Sequence, residues 1–123
     1  LNSALAEIHK VLPACATTAL LGDLNAPTVL AGQPQIDVVF SMQSLHDLNG
    51  HAALRGTYET LFQLLSPGGL LVHADFIVAF EKDDPENPRR FSVDVHRTLL
   101  EELGFTDFTS QIEGKLACMT ARR

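Results

Sequence analysis

Tryptophan is absent from the 123 residues, tyrosine occurs once and cysteine twice. Two cysteines, Cys15 and Cys118, cannot build the disulfide framework of a small secreted domain. Both stand among apolar residues and read as reduced packing residues, so a cytoplasmic setting is expected. Basic residues are also scarce: 9 Lys and Arg face 15 Asp and Glu, for a net charge of −6 and a pI near 5.2. An acidic chain repels phosphate backbones, so nucleic acid is not an expected partner. No apolar run is long enough to cross a bilayer, and the start lacks a charged, apolar, small-residue signal pattern, so no membrane partner is expected either. The metal-ligand signatures are missing. His46 and His51 are not at the i, i+4 spacing of helical zinc ligands, and the cysteines are not paired. There is no G-x-S-x-G, no Walker phosphate loop, no complete G-x-G-x-x-G, no internal repeat and no low-complexity segment.

What is present is a globular composition. At 46% hydrophobic residues the chain has enough apolar surface for one core, and its length allows one domain, 1–123. Leu1, Leu5, Ile8 and Leu12 recur near helical spacing, with Ser3 placed to cap and Pro13 to end a helix. Thr17 to Leu21 is short and β-prone and runs into Gly22-Asp23, a strand leading into a loop. Residues 27 to 32 have room for one helical turn. Ile36 to Met42 is the strongest strand, almost continuously apolar, as in a parallel strand buried on both faces. A helix capped by Asn49 should run to about Leu65 with Leu54, Tyr58, Leu61, Phe62 and Leu65 as its buried stripe. Ser66-Pro67-Gly68-Gly69 stops it, and Leu70 to Ala79 reads as a second buried strand. EKDDPENPRR, residues 81 to 90, is a charged, proline-broken loop expected to lie in solvent. Ser92 can cap a helix ended by Gly104, and two strands, 105–112 and 116–121, flank a Glu113-Gly114 hairpin signal. Glu101 and Glu102 oppose the dipole at the end of that helix.

Helices alternating with strands, then an antiparallel hairpin, predict an α/β fold: a Rossmann-like, mostly parallel sheet with helices on both faces. Ligands of such sheets bind beyond the carboxyl ends of the strands. Three of these ends carry polar residues: Asp23-Leu24-Asn25, Ser41 through Asp47, and Asp75-Phe76. His73 and Asp75 are two apart on one strand and share a face. A carboxylate or imidazole at such an end can serve a substrate as base or acceptor, while nearby backbone can equally satisfy it.

The stretches IDVVFSMQSLHDL and LLSPGGLLVHADF, with a helix between them, resemble the second half of a class I S-adenosylmethionine-dependent methyltransferase. HRTLLEELGF and the terminal LACMTARR are similar to the last helix and strands of that family, and GDLNAP to its adenine-contacting acidic loop. The resemblance implies S-adenosylmethionine as cofactor, with Asp23 accepting from the adenine amino group, Leu24 or Asn25 flanking the ring, and Ser41 and Met42 beside the methionine portion. It places His46 near the methyl-transfer region and has Asp75 and Phe76 face the pocket of a small-molecule methyl acceptor. His46 and Asp75 are the catalytic candidates, and Asp47 with Phe76 the acceptor-contacting ones. It also marks what is missing: the glycine-rich first loop and the acidic residue that holds the ribose. The 123 residues therefore read as a partial domain without its first two strands, part of a longer protein or completed by another chain. Alone it is expected to have little activity, and its exposed strand edge favours pairing with a second copy. Two alternatives remain at this stage: a non-catalytic methyltransferase-like scaffold or dimerisation module, and a fragment of a medium-chain NAD(P)-dependent reductase.

Overall fold

A computed structural model describes residues 2–123; Leu1, counted in the first apolar stripe, lies outside them. The elements are helix α1 (Asn2–Val11), strand β1 (Ile36–Met42), helix α2 (His51–Leu64), strand β2 (Leu65–Phe76), helix α3 (Val93–Glu102) and strands β3 (Thr106–Glu113) and β4 (Leu116–Arg122). Short 3-10 turns fall at Thr28–Leu30 and Leu45–Asp47. Four strands form one sheet in the order β1-β2-β4-β3. β1 and β2 are parallel, with Ser41 opposite His73, and β4 pairs antiparallel with both β2 and β3. Among the described residues no helix is long and apolar enough to cross a membrane.

The expected α2 stripe is the centre of the core. Leu54, Tyr58, Leu61 and Leu65 are buried together with Leu71 of β2, Leu99 and Leu100 of α3, and Phe105. Ser92 caps α3 through its Oγ, which accepts from the Val95 N–H, and Gly104 leaves that helix at φ +104°. Glu102, at the unfavourable end of the α3 dipole, pairs with Arg55 of α2 at 2.6 Å. The Pro-Gly-Gly stop behaves differently from a simple turn. β2 already begins at Leu65, opposite Ile36, and the pairing slips before it resumes at Val38 and Leu70. The Ser-Pro-Gly-Gly stretch is thus a bulge inside the strand. Gly68 takes φ +80°, and a Cβ on Gly69 would lie 2.8 Å from the Ser66 carbonyl and 3.2 Å from that of Asp37, so only glycine fits.

Several expectations change. Thr17 to Leu21 is not a strand. A strand needs a neighbour for its N–H and C=O groups, and none of the four strands pairs with this stretch. β1 is not buried on both faces: Val38, Phe40 and Met42 are 52%, 79% and 69% exposed. It is an edge strand bonded only to β2, and the helices that pack on the sheet, α2 and α3, meet the opposite face, where Leu71, His73 and Asp75 point inward. α1 is exposed along nearly all its length and supplies no second layer. Ser3 lies inside α1 rather than capping it, and α2 starts after Gly50 with no side-chain cap, so Asn49 does not have the role assigned to it. Cys15 and Cys118 are exposed, not packed: Cys118 lies in β4 on the uncovered face, and Cys15 follows α1. The 81–90 loop is pinned rather than wholly solvated. The Arg90 guanidinium meets Asp83 at 2.6 Å, with both side chains largely buried, and lies 4.0 Å from the Phe80 ring centre.

Candidate functional site

Because β1 and β2 run parallel, their carboxyl ends, Met42 and Phe76, emerge on one edge of the sheet. The chain leaves β1 through Gln43, a non-glycine residue at φ +51°, and the 3-10 turn Leu45–Asp47 then folds back over the end of β2. A left-handed non-glycine residue is uncommon and is held by its surroundings. Here the Gln43 N–H donates to the Ala74 carbonyl at 2.7 Å, and the Ser44 hydroxyl donates to the Met42 carbonyl.

This return brings His46 onto Asp75, 29 residues away in sequence. The His46 Nδ1 lies 2.7 Å from Asp75 Oδ1, and the His46 backbone N–H donates to Oδ2 at 3.1 Å. Asp75 also accepts from the Phe76 N–H at 2.8 Å, and its Oδ2 lies 3.3 Å from His73 Nε2. Burial alone would raise the Asp75 carboxyl. The hydrogen bonds from His73, His46 and the Phe76 N–H outweigh it and bring the pKa down to about 2. The residue is therefore a buried, fully charged acceptor at neutral pH. Behind it the Tyr58 hydroxyl lies 2.7 Å from His73 Nδ1 and 2.8 Å from His96 Nδ1. Tyr58, His73, Asp75 and His96 are all at most 3% exposed. Burial and the Asp75 charge drive the Tyr58 phenol upward, so it stays protonated. His96 is lowered to about 4, first by burial and then by His73, against an opposing pull from Asp75.

The other expected site residues gather around the dyad to different degrees. Asp47 Oδ1 lies 3.5 Å from His46 Nε2 and its side chain is in solvent. Phe76 stands edge-on to the His46 ring at 5.9 Å and to Phe80 at 4.9 Å. The Asp23–Asn25 loop is tied to α2 and the segment leading into it: Asn25 Oδ1 accepts from the Asn49 N–H at 2.8 Å, and the Leu24 carbonyl accepts from the Thr57 hydroxyl at 3.0 Å. Asp23 Oδ1 accepts from the backbone and side-chain N–H groups of Asn25. Ser41 and Met42 alternate across β1, so the Ser41 side chain is on the α2 side and Met42 is on the uncovered face. Any contact both make with one ligand runs through the backbone. A hollow of about 610 Å³ lined by Met42, Gln43, Ala74 and Cys118 opens on that uncovered face, away from His46. We read it as part of the bare sheet face and not as the site, because His46 and Asp75 do not line it.

Sequence reading missed Tyr58 and His96 as polar partners. Tyr58 was visible as a buried position whose hydroxyl must find a partner. His96 falls between the buried Val93 and the Leu99-Leu100 pair on the inner face of α3, and a core histidine there signals the same need.

No family model and no curated protein sequence matches the chain. Solved structures match it along its length. An O-methyltransferase family protein from Burkholderia thailandensis is 15% identical at a TM-score of 0.77, covering 99% of this chain and 40% of that one. A possible exported protein from Bordetella parapertussis is 21% identical at 0.72, covering 98% and 50%. An S-adenosylmethionine dependent methyltransferase from Mesorhizobium loti is 17% identical at 0.71, covering 100% and 77%. Other matching structures were solved with S-adenosylmethionine or S-adenosylhomocysteine bound, and one is a 4+2 cyclase. The chain spans half or less of the length of the first two. At these identities the likeness is one of fold. The chain has the fold of the C-terminal part of a class I S-adenosylmethionine-dependent methyltransferase, and its own sheet ends in an antiparallel β3–β4 hairpin.

Proposed function

We propose that the chain is the C-terminal part of an S-adenosylmethionine-dependent methyltransferase acting on a small molecule, with His46 as its general base. The observation that carries this reading is the 2.7 Å His46–Asp75 pair on the carboxyl rim of the parallel strands. A base oriented by a buried carboxylate, next to an aromatic wall, suits removal of a proton from an O–H or N–H acceptor.

The residues present fit part of the cofactor. Among the described contacts only Oδ1 of Asp23 is engaged, which leaves its second oxygen for an adenine amino group, with Leu24 and Asn25 beside the ring. The backbone of Ser41 and Met42 would hold the methionine portion. The glycine-rich cradle and the ribose-binding acid are not in these 123 residues. When bound, the cofactor supplies a sulfonium methyl for in-line attack and leaves as a neutral thioether.

The chain's own part is the proton. With Nδ1–H donated to Asp75, the lone pair of His46 is on Nε2, and there it takes the acceptor's proton as the new bond to carbon forms. The resulting imidazolium lies between two carboxylates, Asp75 on Nδ1 and Asp47 at 3.5 Å from Nε2. Phe76 and Phe80 form an apolar wall beside the ring, and Arg90, stacked on Phe80 and paired with Asp83, holds the 81–90 loop against that wall.

We further propose that the exposed β1 edge and face are covered by a segment N-terminal to this one, which also brings the missing half of the cofactor site. The apolar exposure of Val38, Phe40 and Met42 supports this. It supports equally a second reading, a scaffold module in which a second copy covers the strand. Calorimetric titration with S-adenosylhomocysteine and with NADPH, on this chain and on an N-terminally extended version, tests the reading. The extended version should bind S-adenosylhomocysteine and ignore NADPH, and Asp23→Ala should weaken that binding by about 1–3 kcal/mol. Binding of NADPH alone would return the reductase reading. Binding of neither ligand, with dimerisation through β1, would leave the scaffold.

A further inference from the structure

Four buried polar side chains in so small a core need a common explanation, since a buried polar group left unpaired is destabilising. The protons can be placed by counting donors. Asp75 is charged, so it only accepts, and the nitrogens facing it, His46 Nδ1 and His73 Nε2, each carry a proton. With a single proton on the His73 ring, already placed on Nε2, Nδ1 is bare, so the Tyr58 O–H 2.7 Å away donates to it. That uses the only proton of the phenol. His96 Nδ1, 2.8 Å from the same oxygen, must therefore donate. The bonds then run in one direction, from His96 to Tyr58 to His73 to Asp75, and the carboxylate passes the constraint to His46. Each link is also packed: the His73 and His96 rings stand edge-on at 5.2 Å, and Tyr58 is edge-on to both.

We propose that His73, Tyr58 and His96 are positioning residues, a one-way hydrogen-bond chain that fixes the Asp75 carboxylate and so holds His46 with its proton on Nδ1 and its Nε2 lone pair toward the acceptor. The proposal rests on the reading of His46 as the base, but the lock it describes exists without cofactor. His73 supplies the second side-chain donor that stops Asp75 from rotating. By donating to His73 Nδ1, Tyr58 forbids the other His73 tautomer, which would set a bare Nε2 against the carboxylate. His96 orients the Tyr58 hydroxyl so that its proton points at His73.

Long-range proton–nitrogen spectra of the ¹⁵N-labelled 123-residue chain test this, because they read the tautomer of each imidazole. The wild type should show single tautomers, Nδ1–H for His46, Nε2–H for His73 and Nδ1–H for His96. His73→Leu should speed solvent exchange of the His46 Nδ1 proton about tenfold, the population change that loss of one net hydrogen bond produces. His73→Gln, whose amide can donate to Asp75, should restore most of that protection. Tyr58→Phe, which removes only the hydroxyl, should release the His96 tautomer into a mixture. If packing alone mattered, Leu would do as well as Gln, and that result overturns the proposal. So does a wild-type spectrum with a proton on His73 Nδ1, a result that needs no variant to fold. Loss of methyl transfer or of S-adenosylhomocysteine binding would refute the transferase reading while leaving these spectra unchanged.

Discussion

Replacing Asp75 by asparagine is the most searching perturbation of the buried network. The carboxylate accepts four bonds: the His46 N–H and Nδ1–H, the His73 Nε2–H and the Phe76 N–H. An amide has nearly the same shape, but one of its two atoms is an NH₂ donor. Whichever way it turns, two of the four donors then face another donor. If the amide nitrogen replaces Oδ1, His46 Nδ1 and Phe76 N lose their partner. If it replaces Oδ2, His46 N and His73 Nε2 do. His46 and His73 can change tautomer to relieve part of this, but the backbone N–H groups cannot. One buried donor lost to a charged acceptor costs about 1.5–3 kcal/mol, so the expected loss is about 2–5 kcal/mol after tautomer relief. The same bonds, read through the acidity of the carboxyl, give a figure of the same size. The drop of the Asp75 pKa from 3.8 to about 2 corresponds to about 2.5 kcal/mol favouring the charged form in the native state. Urea unfolding of Asp75→Asn at pH 7, with the slope unchanged from wild type, should show this loss. Because the residue is at most 3% exposed, solvent screening does not reduce it. A loss under about 0.5 kcal/mol, the size of an ordinary surface substitution, would refute the network as described.

The remaining predictions concern acid, the bulge and the bare strand. His96, with Tyr58, His73 and Asp75 facing it, is depressed from 6.5 to about 4, so the unfolded chain binds its proton first. Stability should therefore fall as pH drops from 6.5 toward 4, by about 3 kcal/mol in all, and His96→Gln should flatten that limb in urea midpoints taken across the range. Identical slopes would contradict it. The Asp75 contribution has the other window: full above 3.8, it is lost as pH falls toward about 2. Gly69→Ala should cost about 1–3 kcal/mol in chemical denaturation because its Cβ would meet two backbone carbonyls, whereas Phe40→Ser, at a position 79% exposed, should change the stability of this chain by under about 0.5 kcal/mol. In an N-terminally extended protein that covers β1, the same Phe40→Ser change should instead cost about 2 kcal/mol or more.

The parts of this fold that could be read from the letters are those governed by local rules. The Tyr58 stripe, the Ser92 cap, the Gly104 stop and the Glu113-Gly114 hairpin each follow from spacing or backbone chemistry within a few residues. The 17–21 segment was misread because β propensity says nothing about whether a neighbouring strand exists to take the hydrogen bonds. Exposure of β1 escaped for a related reason. A continuous apolar run reports what a strand would pair with in a finished sheet, not what covers it in this one. At the site, His46 and Asp75 were recognisable as polar letters at two strand ends, and the resemblance placed the first near the methyl-transfer region and the second facing the substrate pocket. Their bond depends on a left-handed Gln43 that turns the chain back over β2, which no spacing rule announces. Tyr58 and His96 entered the network only through the packing of α2 and α3 on one sheet face.

Turnover of the N-terminally extended protein tests the central claim most directly. Methyl transfer from labelled S-adenosylmethionine to a panel of small phenols, hydroxy acids and amines would be followed for wild type and His46→Ala. The account predicts a fall in kcat of about 10²–10⁴-fold, the usual worth of a positioned general base, with S-adenosylhomocysteine affinity unchanged. Equal turnover by the two proteins would contradict it.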